Sequence, residues 1–153
     1  MKRIPFESYK KIVDVMPILC VDAVIVYKGN FLLVKRKNQP LKGRWWVPGG
    51  RVLKGETMEK AVKRKIREEV GIDIKVLTPL GYYEVFHKEN DFGLKSGIHE
   101  LSIVFLATPL SLDIKLDHQS SAWRFSKSLP KDFKIKSFSL KEPFTKEFKS
   151  HRA

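Results

Sequence analysis

The segment from Thr57 to Gly71 limits the fold of this chain more than any other stretch. Apolar residues recur along it at the spacing of a helix with one buried side. They are Met58, Ala61, Val62, Ile66 and Val70. Gly71 follows the last of them, where a glycine in the left-handed conformation commonly ends a helix. The sequence therefore predicts one amphipathic helix that packs its apolar side against a neighbouring layer.

Most of the remaining chain consists of short runs rich in β-branched and aromatic residues. Two such runs are joined by Lys28-Gly29-Asn30, a pattern typical of a β-hairpin. In "WWVPGG" we expect a short strand that is ended by Pro48 and the two glycines. The predicted strands cover residues 18–28, 31–37, 45–50, 72–86, 99–110 and 122–127. These strands and the central helix predict an α/β fold with a mixed β-sheet.

Two more helices are predicted near the ends of the chain. The first covers 5–16, with Ile12, Val13 and Met16 as its apolar side. The second covers 139–153 and is opened or interrupted at Pro143. No repeat, linker or low-complexity tract divides the chain, so we expect a single domain over 1–153 with a basic tail from about 131 to 153.

The composition suits one domain with a substantial buried core. The chain has 153 residues, of which 42% are hydrophobic and 31% charged. Cys20 is the single cysteine, so the fold does not depend on an internal disulfide. The apolar stretch after Val15 is interrupted by Asp22 and is too short to span a bilayer. We therefore expect a cytoplasmic protein without a membrane partner.

The formal net charge of +13 favours an anionic partner. Lysines are spread along the whole chain, and neither a zinc-finger nor an RNP motif accompanies them. Nucleic acid is therefore not the expected partner, and a phosphorylated small molecule suits the charge equally well.

An acidic pair on the central helix suggests what holds the phosphates. Glu68 and Glu69 share one helix face with Lys65, since these positions are three and four residues apart. Carboxylate oxygens are ligands that Mg²⁺ prefers, and the preceding Gly49-Gly50 turn can bring a main-chain carbonyl close to an ion. The alternative is a solvated helix face on which Arg64–Glu68 and Lys65–Glu69 form ion pairs.

The spacing of these residues resembles the Nudix box. That motif is Gly, five residues, Glu, seven residues, then Arg-Glu-aliphatic-any-Glu-Glu-any-Gly-aliphatic. Eight of its nine positions match, and the ninth, normally Glu, is Lys65. The matching residues, within 50–72, are Gly50, Glu56, Arg64, Ile66, Glu68, Glu69, Gly71 and Ile72. The resemblance implies a Nudix-type α/β/α sandwich that hydrolyses nucleoside diphosphates linked to another group, using Mg²⁺ or Mn²⁺.

A wider stretch narrows the resemblance. "FLLVKRKNQPLKGRWWVPGGRV" is similar to the GDP-mannose mannosyl hydrolase branch, and the similarity extends to Asp22 and to "LDHQSSAWRF". In that branch water attacks the anomeric carbon of the sugar, and a metal-bound diphosphate leaves. Lys65 agrees with this chemistry, because a box with fewer carboxylates holds fewer metal ions. The resemblance thus implies hydrolysis of a GDP-mannose-like sugar nucleotide by a protein that we expect to form a homodimer.

The resemblance also implies roles for individual residues. The metal ligands would be the Gly49 carbonyl, Glu69 and Gln119, and Glu68 gives an additional oxygen that the branch does not always have. Arg36 and Arg51 would bind the phosphates and take part in catalysis, with Lys65 as a further contact to the substrate. Asp22 would act at the sugar end.

The general base is the least defined role. In the mannosyl hydrolases a histidine directly follows the loop glutamine, whereas here His118 precedes Gln119 and Ser120 takes the expected position. We expect His118 to be the base, because an imidazole with a near-neutral pKa suits the deprotonation of water. Asp117 is a second candidate.

Two other functions agree with the same motif. A Nudix pyrophosphatase would attack phosphorus in a sugar nucleotide, ADP-ribose or a nucleoside triphosphate, and the presence of both Glu68 and Glu69 favours this alternative. The third is a non-catalytic Nudix-fold module that binds nucleotide or RNA, in which Lys65 has ended metal catalysis.

Overall fold

The computed structural model describes residues 4–137 of the chain. These residues form two α-helices and eight β-strands in the following order. They are α1 (Phe6–Val15), β1 (Ile18–Tyr27), β2 (Asn30–Arg36), β3 (Trp45–Trp46), β4 (Gly49–Arg51), α2 (Met58–Val70), β5 (Ile74–His87), β6 (Ile98–Pro109), β7 (Ser120–Ser126) and β8 (Lys136–Ser137). The predicted tail helix over 139–153 lies outside the described residues.

The sheet is mixed, as predicted, and the two helices complete an α/β sandwich. Its main strand order is β3-β2-β1-β6-β5-β8, while β4 pairs with β1 and β7 pairs with β2. The β1–β6 pair is parallel, and the other strand pairs are antiparallel. In the register of the parallel pair, Cys20 lies opposite Ser102 and Asp22 opposite Val104. Polar side chains of neighbouring strands are thereby aligned on one face.

The central helix begins and ends where the sequence predicts. Thr57 caps its first turn by accepting a hydrogen bond from the Lys60 N–H at 3.2 Å, and Gly71 ends it in the left-handed conformation at φ 76°. Its buried apolar residues pack against one face of β1, where Val21 and Ala23 are fully buried. The helix interior therefore covers one face of the sheet, and its acidic residues lie at the edge of that contact.

The other face of the sheet has its own core. Val24 and Val104 pack there with Trp46, Val47, Leu80 and Phe133. Because side chains alternate along a strand, Cys20, Asp22 and Ser102 lie on this second face, away from α2. The sheet thus carries a buried polar group on the face that the central helix does not cover.

The prediction that two glycines end the strand after Trp46 is wrong. Gly49 and Gly50 belong to β4, which pairs with β1 so that Gly49 lies opposite Asp22. A Cβ atom at Gly49 would lie 2.0 Å from the Asp22 Oδ1 and 2.3 Å from the Val21 carbonyl oxygen. The absence of a side chain therefore lets β4 approach β1 closely.

Helix α1 forms as predicted, but its apolar side is mostly uncovered. Val13 is buried, whereas Ile12 is 39% and Met16 57% exposed. The helix instead contacts the loop between β5 and β6 through ring contacts of Phe6 and Tyr9 with Phe92. Among residues 4–137 there is no helix long and apolar enough to cross a membrane.

Candidate functional site

Glu69 is held at the point where α2 meets β4. Its side chain is buried, and its two oxygens accept hydrogen bonds from the Gly49 N–H at 3.1 Å and the Ser120 hydroxyl at 3.2 Å. Burial raises the pKa of Glu69, while the Gly49 hydrogen bond and the nearby Lys65 ammonium lower it. Residues of α2, β4 and β7 therefore fix the position of the Glu69 carboxylate together.

The Lys65 side chain extends over Gly50 of β4. A Cβ atom at Gly50 would lie 2.6 Å from the Lys65 Cε, so the lysine stem covers the bare backbone. The Lys65 Nζ lies 3.5 Å from the Glu68 Oε2, and the lysine side chain is only 12% exposed. The ion pair suggested between Lys65 and Glu69 is thus formed with Glu68 instead. We call Gly49, Lys65, Glu68 and Glu69 the box end of the site.

Arg64 stabilises the box end through hydrogen bonds to its neighbours. Its guanidinium donates to the Glu68 Oε2 at 3.0 Å, to both Glu56 oxygens at 2.6 and 3.0 Å, and to the Arg51 carbonyl at 3.0 Å. These hydrogen bonds raise the pKa of Arg64 and lower that of Glu56. Two residues of the Nudix-box pattern, Glu56 and Arg64, thus connect the loop after β4 to the helix.

A second group of polar residues lies on the face away from α2. The Tyr83 hydroxyl donates to the Asp22 Oδ2, which also accepts from the Ser102 hydroxyl at 2.7 Å. The Tyr83 oxygen lies 3.4 Å from the Glu100 Oε1, and the His87 Nε2 lies 3.9 Å from the Glu100 Oε2. We call Asp22, Tyr83, His87, Glu100 and Ser102 the sheet end of the site.

Burial dominates the ionisation of the sheet end. It raises the pKa of Asp22 to about 7, with a further contribution from Glu100 that the Tyr83 and Ser102 hydrogen bonds oppose. Burial also raises the pKa of Glu100 and of Tyr83. The pKa of His87 is lowered by burial and then by Arg36, so its ring is neutral at pH 7. A proton is therefore retained among these acids near neutral pH.

Arg36 belongs to both ends electrostatically. Its positive charge lowers the pKa of Asp22, Glu69 and Glu100 against the burial that raises them. Its Nε donates to the Pro40 carbonyl at 2.8 Å, which anchors the side chain to the loop after β2. Arg51 is placed differently, since its guanidinium lies over the Tyr9 ring of α1 at 3.6 Å from the centroid.

The loop before β7 does not bring all its predicted residues to the site. The Gln119 Nε2 donates to the Asp117 Oδ2 at 2.7 Å, and the Gln119 main-chain N–H donates to the Asp117 Oδ1 at 2.8 Å. His118 is exposed, and within residues 4–137 it forms no hydrogen bond or ion pair. Ser120, at the position where the sequence resemblance predicts a histidine, donates its hydroxyl to Glu69 instead. The roles of His118 and Gln119 stay predictions.

The donor atoms at the box end fit a single hard cation. Glu68 and Glu69 offer carboxylate oxygens, the Gly49 main chain lies against Glu69, and Gln119 would add the oxygen of its amide. Among residues 4–137 there is no group of three or more His, Cys, Asp or Glu side chains placed to hold a metal ion. The Lys65 ammonium beside Glu68 also disfavours a cluster of cations. Two carboxylates with a neighbouring ammonium suit one divalent ion shared with substrate phosphates.

The sequence alone did not assign Glu100, Tyr83 and Ser120 to the site. A signal for the first was present, because Glu100 and Ser102 alternate with apolar residues in β6 and therefore share a strand face. Nothing in the sequence places that face against Asp22, because the contact depends on the register between distant strands.

Comparisons with known proteins agree with this architecture. A model of the NUDIX domain matches residues 16–140. The low-salt glycan biosynthesis protein Agl8 of Haloferax volcanii is 37% identical over 119 residues, which cover 78% of this chain and 76% of that protein. An ADP-ribose pyrophosphatase of Methanocaldococcus jannaschii is 40% identical over 99 residues, which cover 65% of this chain and 55% of that protein.

Solved structures show the same fold. A MutT NUDIX hydrolase from Burkholderia pseudomallei superposes with a TM-score of 0.65 at 28% identity, over 90% of this chain and 96% of that one. The NUDIX domain of Shewanella oneidensis NrtR, solved with ADP ribose, gives a TM-score of 0.57 at 21% identity, over 72% and 73% of the two chains. The second likeness concerns the fold alone.

Proposed function

The chain belongs to the Nudix hydrolase family, and we propose that it hydrolyses a GDP-mannose-like nucleoside-diphosphate sugar by attack of water at the sugar C1. The family generally uses divalent metals such as Mg²⁺. The single observation that carries the proposal is the position of Lys65, whose ammonium lies 3.5 Å from the Glu68 carboxylate where the family pattern has a glutamate.

Lys65 favours departure of a diphosphate over attack on phosphorus. A box with three glutamates gathers several cations, which can activate water and orient it toward phosphorus. An ammonium at the same place repels a further cation and can donate a hydrogen bond to a departing diphosphate oxygen. Substitution at carbon requires this stabilisation of the leaving group.

The substitution balances as a simple hydrolysis. The oxygen of water forms a bond to C1, while the bond between C1 and the diphosphate oxygen breaks and its electron pair stays on the nucleoside diphosphate. The attacking water loses one proton to His118, our candidate for the base, with Asp117 as the second candidate. The products are the free sugar and the nucleoside diphosphate.

The positively charged side chains of the site support an orientation in which the diphosphate of the substrate lies at the box end. Arg36, Arg51 and Lys65 would bind the phosphates, since guanidinium and ammonium groups are strong donors to phosphate oxygens. A metal ion held by Glu68, Glu69, the Gly49 carbonyl and Gln119 would neutralise diphosphate charge. Asp22 would face the sugar at the sheet end, on the face away from α2. The similarity to a glycan biosynthesis protein also supports a sugar-linked substrate.

A pyrophosphatase is the second candidate. Both Glu68 and Glu69 are present, and the Methanocaldococcus relative that is 40% identical is named an ADP-ribose pyrophosphatase. In this alternative, water attacks phosphorus in a sugar nucleotide, ADP-ribose or a nucleoside triphosphate.

Hydrolysis of GDP-mannose in ¹⁸O-labelled water separates the two candidates. Attack at carbon places the label in mannose and leaves GDP unlabelled, which mass spectrometry of both products will show. Label in the phosphate of GMP or of mannose 1-phosphate would refute our proposal in favour of the pyrophosphatase. No hydrolysis of any sugar nucleotide in a panel with Mg²⁺ would also refute it.

Two lysine substitutions test the role of Lys65, on whose position beside Glu68 the proposal rests. Lys65→Glu should raise the number of bound Mn²⁺ ions, counted by titration with paramagnetic detection, without increasing turnover. Lys63→Glu is the matched control, since Lys63 lies two residues earlier on α2 and pairs with Glu59 at the surface. A much faster Lys65→Glu variant would contradict the leaving-group argument.

A further inference from the structure

The two ends of the site form one continuous row of polar contacts. Glu69 accepts from the Gly49 N–H at 3.1 Å, and the Asp22 carboxylate lies directly over Gly49. From Asp22 the contacts continue through the Tyr83 hydroxyl to Glu100 and then to His87. The last two residues therefore lie at the far end of this row from the Nudix box.

Charge makes the far end unsuitable for phosphate. Asp22 and Glu100 are two acids joined through one tyrosine hydroxyl, and carboxylates repel phosphate oxygens. Because a proton is retained among these acids while Asp22 accepts from Tyr83 and Ser102, this end offers both acceptors and a donor to a ligand. Hydroxyl groups of a sugar can bind to both, whereas the diphosphate is directed to the cations at the other end.

Glu100 is the accessible acid of the sheet end. Asp22 is 5% and Ser102 0% exposed, and both are already engaged with each other. The Glu100 side chain is 19% exposed, and one of its oxygens has the Tyr83 hydroxyl at 3.4 Å. Its other oxygen lies 3.9 Å from the His87 Nε2, which is beyond hydrogen-bond distance. A ligand hydroxyl could therefore donate to Glu100 and accept from His87.

A second Glu–His pair provides a contrast within the same two strands. Glu84 and His99 point to the opposite strand face, because they alternate with Tyr83 and Glu100. Their side chains already form a contact of 2.8 Å and are 42% and 32% exposed. The outer pair thus forms its contact at the surface. The inner pair, Glu100 and His87, is less exposed, and its two side chains lie too far apart for a hydrogen bond.

We propose that Glu100, assisted by His87, binds a hydroxyl group of the sugar and so determines which sugar nucleotide the protein hydrolyses. This inference rests on the proposed function and adds the residues that recognise the sugar. Tyr83, which donates to Asp22 and lies 3.4 Å from Glu100, positions the Glu100 carboxylate beside Asp22, the residue that the proposed function places at the sugar end.

The test compares one substrate with relatives that lack single hydroxyl groups. The probes are GDP-mannose, its analogues deoxygenated at sugar C2, C4 or C6, and GDP as a competitive inhibitor. Glu100→Gln should lower kcat/KM for GDP-mannose about tenfold, as expected for weakening a hydrogen bond to a charged group. The inhibition constant of GDP should stay within about twofold, because GDP has no sugar at this end.

The analogues locate the hydroxyl that Glu100 binds. For the analogue that lacks this hydroxyl, wild type and Glu100→Gln should have equal kcat/KM values, since the interaction is already absent. Glu84→Gln, in the outer pair, is the matched control and should change neither substrate preference nor GDP inhibition. His87→Leu gives an independent measurement, with His99→Leu as its control. This substitution should also reduce the preference for GDP-mannose over the deoxygenated analogue.

Each outcome bears on the inference. Unchanged preference in both Glu100→Gln and His87→Leu, with an active wild type, overturns the sugar-binding role and leaves the proposed function intact. A parallel loss of GDP inhibition would assign Glu100 a structural role instead. A wild-type protein that hydrolyses none of the sugar nucleotides overturns the proposed function and this inference together.

Discussion

The box end and the sheet end of the site are built in opposite ways. Lys65, Glu68 and Glu69 lie within two turns of one helix, so a fixed spacing in sequence places them together. Tyr83 and Glu100 come from the consecutive strands β5 and β6, whereas Asp22 comes from β1, which is distant in sequence. Their meeting depends on the register of β1 with β6 and of β5 with β6. A short motif can therefore encode the first end, and only the assembled sheet creates the second.

The two ends also differ in charge. The box end combines two carboxylates with the Lys65 ammonium, which suits a cation and a diphosphate together. The sheet end concentrates acids under burial, and Asp22 has a pKa of about 7 there. This difference leads to the expectation that the box end affects turnover on all substrates, while the sheet end affects the choice among them.

The largest effect is expected at Glu69. Glu69→Gln should lower turnover by roughly 10²–10³-fold, the size of effect seen when one preorganised stabilising group is removed. Steady-state kinetics with saturating Mg²⁺ measure it, and circular dichroism should show an unchanged fold. Glu59→Gln, at the surface of the same helix, is the control and should be fully active. Full activity of Glu69→Gln, or of the wild type in excess EDTA, contradicts a metal role for the box end.

His118 is expected to have the next largest effect. If it is the general base, His118→Gln should lower kcat by about 10²-fold with little change in KM. The wild-type rate should rise with pH along an acidic limb, and this limb should be absent in the variant. Asp117→Asn provides the comparison. A limb that persists in His118→Gln and disappears in Asp117→Asn would assign proton transfer to Asp117.

The contact between the two ends can be tested through stability. A Cβ atom at Gly49 would lie 2.0 Å from the Asp22 carboxylate, so Gly49→Ala should force β4 away from β1. We expect a loss of about 1–3 kcal/mol in the free energy of unfolding, as for other overpacked sites. Urea denaturation measures it. Gly55→Ala reports backbone strain alone, since nothing lies within 4 Å of its Cβ position. Equal losses in both variants would contradict the close packing at Gly49.

The smallest effect is the pH dependence that Glu100 contributes to stability. Burial raises its pKa in the folded protein, so the folded state binds this proton more tightly than the unfolded state. The resulting stabilisation is fully present below the ordinary pKa of glutamate and is lost as pH rises through the folded-state pKa.

Glu100→Gln removes this titration. Its unfolding free energy should therefore fall less steeply than that of wild type as pH rises from about 4, near the unfolded glutamate pKa. The titratable and charged groups that interact with Glu100 all remain in the variant; they are Tyr9, Cys20, Asp22, Arg36, Tyr83 and His87. Denaturation at several pH values checks the slope, with Glu84→Gln as the control. Parallel slopes for Glu100→Gln and wild type would show that Glu100 is not shielded in the folded state.

The local elements follow from short stretches of sequence. The helical period, the Thr57 cap and Gly71 defined α2, and the Lys28-Gly29-Asn30 turn defined the first hairpin, because each depends on neighbouring residues. The same locality placed Lys65, Glu68 and Glu69 on one face. The spacing of the box residues also indicated the family.

The contacts between distant residues, by contrast, follow only from the assembled fold. It placed Gly49 in a strand against Asp22, paired Lys65 with Glu68, and turned Gln119 toward Asp117. It also brought Glu100 to Tyr83, since the faces of neighbouring strands align only once their register is fixed. Hydrophobic periodicity states which face of a strand is buried but not which strand lies beside it, and the sheet end depends on that second choice.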